Sequence, residues 1–292
     1  MVILRRISFL GILAALLALA AGCIAPAPPK PGKKLVKICV QPEYSLHVVS
    51  QKYAPLFRYL ANQTGYDIRV VSAMSDDRYL PTLEAQRVDI GIQNALAYIT
   101  LAKTRGAYPL VRMTRPDGST SYRGLILARR DSRIEGIADM KGRTAAAPSR
   151  RSVGGFLAQA LFCRRHGVDL NKDLRLFTVD THEAVIRAVD KGKVEVGFAR
   201  EDILAPLQNK IDFTKLKAIA YTHYYPGWCA AAFAHTPSDV AREISGAMLN
   251  LDPQNPEHRE ILDAIGIAGF QKASDSEYDA MRKEMDDSGL LY

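Results

Sequence analysis

Gln86-Arg87-Val88-Asp89-Ile90-Gly91-Ile92-Gln93-Asn94-Ala95-Leu96 and Gly192-Lys193-Val194-Glu195-Val196-Gly197-Phe198-Ala199-Arg200-Glu201-Asp202 share one grammar. Each leaves a helix through a basic residue, runs Val, acid, β-branched, Gly, apolar, then turns through a short polar segment into a new helix. A short apolar run between helices reads as the core strand of a parallel sheet. One such unit is common; the order of elements on either side of the two is also shared, which points to a repeated half.

Working outward, the first half reads as strands at 35–41, 66–72, 88–92, 109–114 and 122–129, with helices at 50–64, 78–86 and 95–104. Arg115-Pro116-Asp117-Gly118 has strong turn chemistry. The pattern then restarts with a helix at 152–166, a strand at 174–179, a helix at 182–190, a strand at 194–199 and a helix at 202–208. This predicts an α/β protein of two lobes, each a mostly parallel sheet flanked by helices, rather than one large sheet. The first lobe is expected from 35–121 plus 226–292, the second from 122–225. The passages between lobes are read at 122–129 and at Tyr221-Thr222-His223-Tyr224-Tyr225-Pro226-Gly227-Trp228. The remainder, from 237 on, reads as helices broken near Pro253, Pro256 and Gly269 that pack on the first lobe.

Ligands of open parallel sheets gather beyond the carboxyl ends of strands, where helices begin. The helix starts at 77–79 and 93–95 in one lobe, and at 152–155 and 181–182 in the other, would line a cleft. The most telling is Ala145-Ala146-Ala147-Pro148-Ser149-Arg150-Arg151-Ser152-Val153-Gly154-Gly155-Phe156-Leu157: a small-residue strand, a basic turn, then a helix. Ser152 stands where an N-cap belongs, and Gly154 and Gly155 leave the first-turn amides bare. Such a terminus beside Arg150 and Arg151 suits a small anion. The alternative is an ordinary capped helix with solvated arginines.

The chain opens Met1-Val2-Ile3-Leu4-Arg5-Arg6, runs apolar to Ala21 and reaches Gly22-Cys23. A basic start, a short apolar core and small residues before a cut predict a secretory signal over 1–22. The apolar run is too short for a comfortable membrane span. The Gly-Cys ending resembles a bacterial lipobox, which implies lipid on Cys23. The proline-rich segment 23–34 reads as an extended tether. The expected location is therefore the periplasm or cell envelope, anchored to the membrane through Cys23.

The net charge is +8, and losing 1–22 removes Arg5 and Arg6 but no acid. Mild positive charge outside the cytoplasm permits anionic solutes, and no basic run with interleaved aromatics suggests nucleic acid. Beyond Cys23, Cys39, Cys163 and Cys229 lack metal-ligand spacing and read as small buried apolar groups. No metal or other cofactor is expected.

At this point the chain resembles a known family, the substrate-binding proteins of phosphonate, phosphite and phosphate ABC importers. The marks are the helix–strand unit from Tyr79 to Gly91, Tyr122-Arg123-Gly124-Leu125-Ile126-Leu127 leading to Asp139-Met140-Lys141-Gly142-Arg143, and the Ser152 helix start. Thr181-His182-Glu183-Ala184-Val185-Ile186, with Glu195-Val196-Gly197-Phe198-Ala199 behind it, completes them. The resemblance implies a type II periplasmic-binding-protein fold that closes on its ligand like a hinged trap. It also implies an ABC permease as partner and a monomer that binds without catalysis. In that family a Ser-Thr-Ser-Gly run holds the anion's oxygens; here it reads Ser152-Val153-Gly154-Gly155, with fewer hydroxyls. Gln93-Asn94-Ala95 replaces the usual Gly-Pro.

The expected ligand residues are Tyr79, Asn94, Ala95, Tyr98, Arg151, Ser152, Val153, Gly154, Gly155, Thr181, His182, Glu201 and Tyr225. Hydroxyls of Tyr79, Tyr98 and Thr181 would donate to oxygens. His182 is either a donor to the anion or a structural residue at a helix start. Glu201 either accepts from a protonated ligand oxygen or is a solvated first-turn acid. Tyr225 and Trp228 belong to the hinge or an apolar wall. Two other readings stay open: a receptor that presents its solute to a membrane sensor kinase, and a hydrolase using Ser152 and His182. The second lacks a nucleophile elbow, a recognisable orienting acid and a metal set.

Overall fold

The computed structural model describes residues 32–42, 45–179 and 181–288. The expected signal peptide, Cys23 and the tether up to residue 31 lie outside the described residues. In chain order the strands are β1 (Leu35–Val40), β2 (Asp67–Val71), β3 (Ile90–Gln93), β4 (Tyr108–Thr114), β5 (Ser121–Arg129), β6 (Thr144–Ala147), β7 (Arg175–Thr178), β8 (Val196–Arg200), β9 (Leu216–Pro226), β10 (Cys229–Ala232) and β11 (Gly269–Lys272). The helices are α1 (Leu46–Thr64), α2 (Asp76–Ala85), α3 (Ala95–Arg105), α4 (Ala158–Arg165), α5 (His182–Asp190), α6 (Leu204–Leu207), α7 (Ser238–Leu249), α8 (Pro256–Ile265) and α9 (Asp279–Ser288).

Two sheets result. The first runs β11-β4-β10-β3-β1-β2 and the second β7-β6-β8-β5-β9. Side chains on a strand alternate between faces. In β1, Val36, Ile38 and Val40 enter a core with Leu56 and Leu60 of α1, Ile244 of α7 and Leu262 of α8. Cys39 faces the other way, toward Leu83, Tyr98 and Leu101. In β5, Ile126 and Ala128 join Phe156, Val168 and Phe198, while Leu125 and Leu127 meet Val185, Ile186 and Val189 of α5. Each large aliphatic side chain buried this way contributes roughly 1.5–3 kcal/mol. Both sheets are thus covered on both faces.

The chain passes between sheets after β4 and again after β9. Ser121 pairs with Pro226, the Gly227 amide donates to Thr120 O at 2.9 Å, and the Met113 amide donates to Trp228 O at 2.8 Å. The two passages therefore lie side by side. A strand that returns from the other sheet runs against its neighbours, so β10 is antiparallel to β3 and β4. Likewise β5 is antiparallel to β8 and β9. Parallel pairing is confined to one flank of each sheet, β1 with β2 and β3, and β6 with β7 and β8. The sheets are mixed, not mostly parallel as expected.

Other boundaries shift for local reasons. α1 begins at Leu46, so Pro55 is inside the helix rather than near its start. Most of the aromatic stretch is the end of β9, paired with β5, and the passage itself falls on its last residues, Gly227 and Trp228. β11, unforeseen in the tail, is only GFQK with two residues exposed, and it gains its identity by pairing with β4. α7 and α8 pack against α1 and the first sheet. α9 does more, lying against both bodies: Glu284 accepts from the Tyr225 hydroxyl at 2.7 Å and pairs with Arg165 of α4. Cys39, Cys163 and Cys229 are free and buried. Burial pushes the Cys39 and Cys163 thiols up to about 12 and Cys229 to about 11.

Candidate functional site

Strand-to-helix turns from both bodies converge on one cavity of about 280 Å³. From the first body come Gln41 after β1, Asp76 at the start of α2, Asn94 after β3, and Trp228. From the second come Tyr122, the Pro148–Gly154 turn, Thr181 to Glu183, Arg200 and Ile203.

Three of these turns are fixed by side-chain caps. Asn94 accepts from the Ala97 amide at 3.0 Å, Ser152 Oγ from the Gly155 amide at 3.1 Å, and Thr181 Oγ1 from the Ala184 amide at 3.1 Å. Such caps contribute about 1 kcal/mol apiece and aim the remaining first-turn amides outward. At Ser152 the helix opens with one wide turn, Val153–Leu157, in which the Leu157 amide reaches back five residues to Ser152 O at 2.9 Å. Turns of this kind are frequent at functional sites. Two glycines make it possible. A Cβ on Gly154 would stand 2.4 Å from Arg200 Cγ, and one on Gly155 2.5 Å from Pro148 Cγ and 2.7 Å from His182 Cε1. Gln159, fully buried, holds the turn from behind by donating through Nε2 to the carbonyls of Gly154, Ala199 and Leu125.

His182 is neutral. Burial, followed by the nearby Arg200 cation, lowers its pKa to about 3. Its Nδ1 accepts from the Arg200 amide at 3.1 Å, so the ring proton resides on Nε2, as a donor. The arginines of the cleft are matched by carboxylates. Asp202 takes Arg200 with both oxygens, at 3.0 and 3.1 Å. The Arg200 guanidinium also lies over the Tyr122 ring, 5.3 Å from its centre. Arg151 Nε lies 3.1 Å from Asp76 Oδ2 across the cleft. That contact is an ion pair only, since the buried Nε–H finds no hydrogen-bond acceptor. Asp76 in turn accepts from Gln41 Nε2 at 2.6 Å, and Gln41 Oε1 accepts from the Asn94 amide at 2.9 Å. Among the described residues no group of His, Cys, Asp and Glu could hold a metal ion.

Of the residues expected at a ligand, Asn94, Arg151, Ser152, Val153, Gly154, Thr181 and His182 line this cavity. Gly155 lies directly behind it, and Ala95 is buried beneath Asn94. Four lie elsewhere. Tyr79 is buried in the first body, its hydroxyl donating to Gln93 Oε1 at 2.7 Å. Tyr98 is buried too, hydrogen-bonded to Asp275 and packed on Tyr278. Tyr225 faces α9 on the far side of the hinge. Glu201 turns away to clasp Arg123 at 2.5 and 2.7 Å, under the Tyr221 and Tyr224 rings. Gln41, Asp76, Tyr122 and Arg200 join the site unforeseen. Asp76 escaped notice because α2 starts two residues earlier than its apolar pattern suggests.

Two mixed sheets joined by paired passages, with capped helix starts facing each other across a cleft, define a type II periplasmic-binding-protein fold. The chain belongs to the periplasmic substrate-binding proteins of phosphonate ABC transporters, whose family model matches residues 38–278. It is similar to the binding component of a phosphonate ABC transporter from Pseudomonas aeruginosa, at 18% identity and a TM-score of 0.74, covering 88% of this chain and 87% of that one. It is also similar to PhnD1 from Prochlorococcus marinus in complex with methylphosphonate, at 16% identity and a TM-score of 0.75, covering 88% and 99%. A Xanthomonas citri protein bound to ATP matches at 17% identity and a TM-score of 0.74, covering 88% and 98%. The family's place is outside the cytoplasm, in solute import.

Proposed function

We propose that the protein captures a small oxyanion of the phosphonate, phosphite or phosphate type between its two bodies and hands it to an ABC permease. The observation that carries this reading is the Ser152–Gly155 turn. Its first-turn amides open into the cleft beside Arg151, whose buried Nε–H has no hydrogen-bond acceptor, and next to neutral His182, whose Nε2 carries the ring proton. Because both arginines already face carboxylates, the ligand's charge is met mostly by fixed dipoles. That arrangement favours a singly charged anion over a fully ionised one, and Glu183 can accept from its remaining hydroxyl.

The same reading is one of binding without turnover. Ser152 Oγ is engaged as a cap, and the protonated Nε2 of His182 has no lone pair with which to act as a base. Signal cleavage before Cys23, lipid on Cys23 and a tether over 23–34, supported by the sequence pattern, complete the proposal together with a monomeric state, supported by the family resemblance.

A thermal-shift screen over methylphosphonate, phosphite, phosphate, sulfate and acetate tests it. A phosphorus oxyanion at one hundred times its dissociation constant should stabilise the fold by about 2.7 kcal/mol. Stabilisation by sulfate or acetate alone, or by none of the five, would overturn the reading.

A further inference from the structure

A second cavity, of about 490 Å³, adjoins the anion cavity, and Gln41, Tyr122, Arg200, Ile203 and Trp228 line both. Resting on the reading above, we infer that the ligand carries a bulky apolar or aromatic group on its phosphonate or phosphate, and that this group occupies the second chamber.

The lining supports this choice of substituent. Tyr53, Met113, Trp228, Ile265 and Ile267 contribute apolar surface from the first body, and Ile203 faces them from the second. The charges at the rim answer one another: Arg115 lies 3.3 Å from Asp117 and 3.4 Å from Asp202, and Asp202 also holds Arg200. Lys52 is engaged as well. A charged tail would have to displace one of these pairs, whereas an apolar tail buries surface without disturbing them. Both chambers together have the size and mixed lining of a site for an organic molecule, with a few polar groups fixing one end. A methyl group or a bare oxygen occupies only the first. The chamber also draws its walls from both bodies, so a substituent within it would be gripped by the same closure that traps the anion.

Titration calorimetry of the full chain with methylphosphonate, benzylphosphonate and benzyl alcohol tests the inference. Benzylphosphonate should bind at least tenfold more tightly than methylphosphonate, and benzyl alcohol not measurably. Ala205 is exposed and lines the second chamber alone. Ala205→Trp should abolish the benzyl advantage and leave the methylphosphonate dissociation constant within twofold. Val49→Phe repeats the test from the opposite wall if Ala205→Trp does not fold. Methylphosphonate binding as tightly as benzylphosphonate, or a filled chamber weakening both alike, overturns the inference while the anion reading stands. If neither phosphonate binds, both fall together.

Discussion

Arg151 and Asp76 face each other across the mouth of the cleft, the arginine on the turn after β6 and the aspartate in the first turn of α2, with Nε and Oδ2 3.1 Å apart. One body thus lends the other a carboxylate at the place where an incoming anion would want the arginine for itself.

Asp76→Asn should therefore strengthen binding. The amide oxygen still accepts from Gln41, but the competing charge is gone, a change of about 1 kcal/mol for a half-exposed pair, or roughly fivefold. Calorimetry with methylphosphonate at low salt measures it, and weaker binding would mean that Asp76 supports the ligand instead of competing with it.

Stability should fall in mild acid because of His182. Its folded pKa of about 3 lies below the ordinary 6.5, so the unfolded chain binds the proton first. The stabilising contribution is complete above about pH 6.5 and is lost as pH falls toward 3; by pH 5 the loss is about 2 kcal/mol. Urea unfolding at pH 7.5 and pH 5 reads this. His182→Asn keeps an acceptor for the Arg200 amide and should flatten the dependence; an unchanged slope would assign the acid sensitivity to another group.

Gly154→Ala should cost about 1–3 kcal/mol and at least tenfold in affinity, since the added carbon must displace Arg200 or the Tyr122 ring, 2.4 and 2.8 Å away. Chemical denaturation and calorimetry together separate the two effects. Normal binding would show that the wide turn tolerates an outward shift.

Gln159→Leu preserves volume but strips a donor from three buried carbonyls, including Gly154 O. The expected loss is about 2–4 kcal/mol, measured by the midpoint of urea unfolding. A loss under 1 kcal/mol would indicate that water replaces the amide.

The course of the chain was legible where apolar runs and turn chemistry coincide. Val88 to Asn94 and Val194 to Arg200 announce strand, turn and next element in a few residues, and Ser152 announces a cap. What could not be read is where long side chains go. Tyr79 and Tyr98 have hydroxyls fit for a ligand, yet each buries its ring and finds a partner inside the first body, Gln93 and Asp275. Glu201 follows a core strand directly, but Arg123 on the neighbouring strand claims it. Strand direction was hidden for a similar reason: β10 looks like any small apolar strand until its pairing with Gln93 and Arg112 shows which way it runs.

The pairing of Ser121 with Pro226 has a consequence for how the polypeptide acquires its shape. The segment between them makes a complete sheet of its own, whereas β3 must wait for β10, which emerges long after it. Closing so long a loop is slow unless something brings its ends together. The interposed segment, once folded, holds its two ends side by side and delivers β10 to its place. The second body then serves as the clasp of the first before it serves as half of the trap.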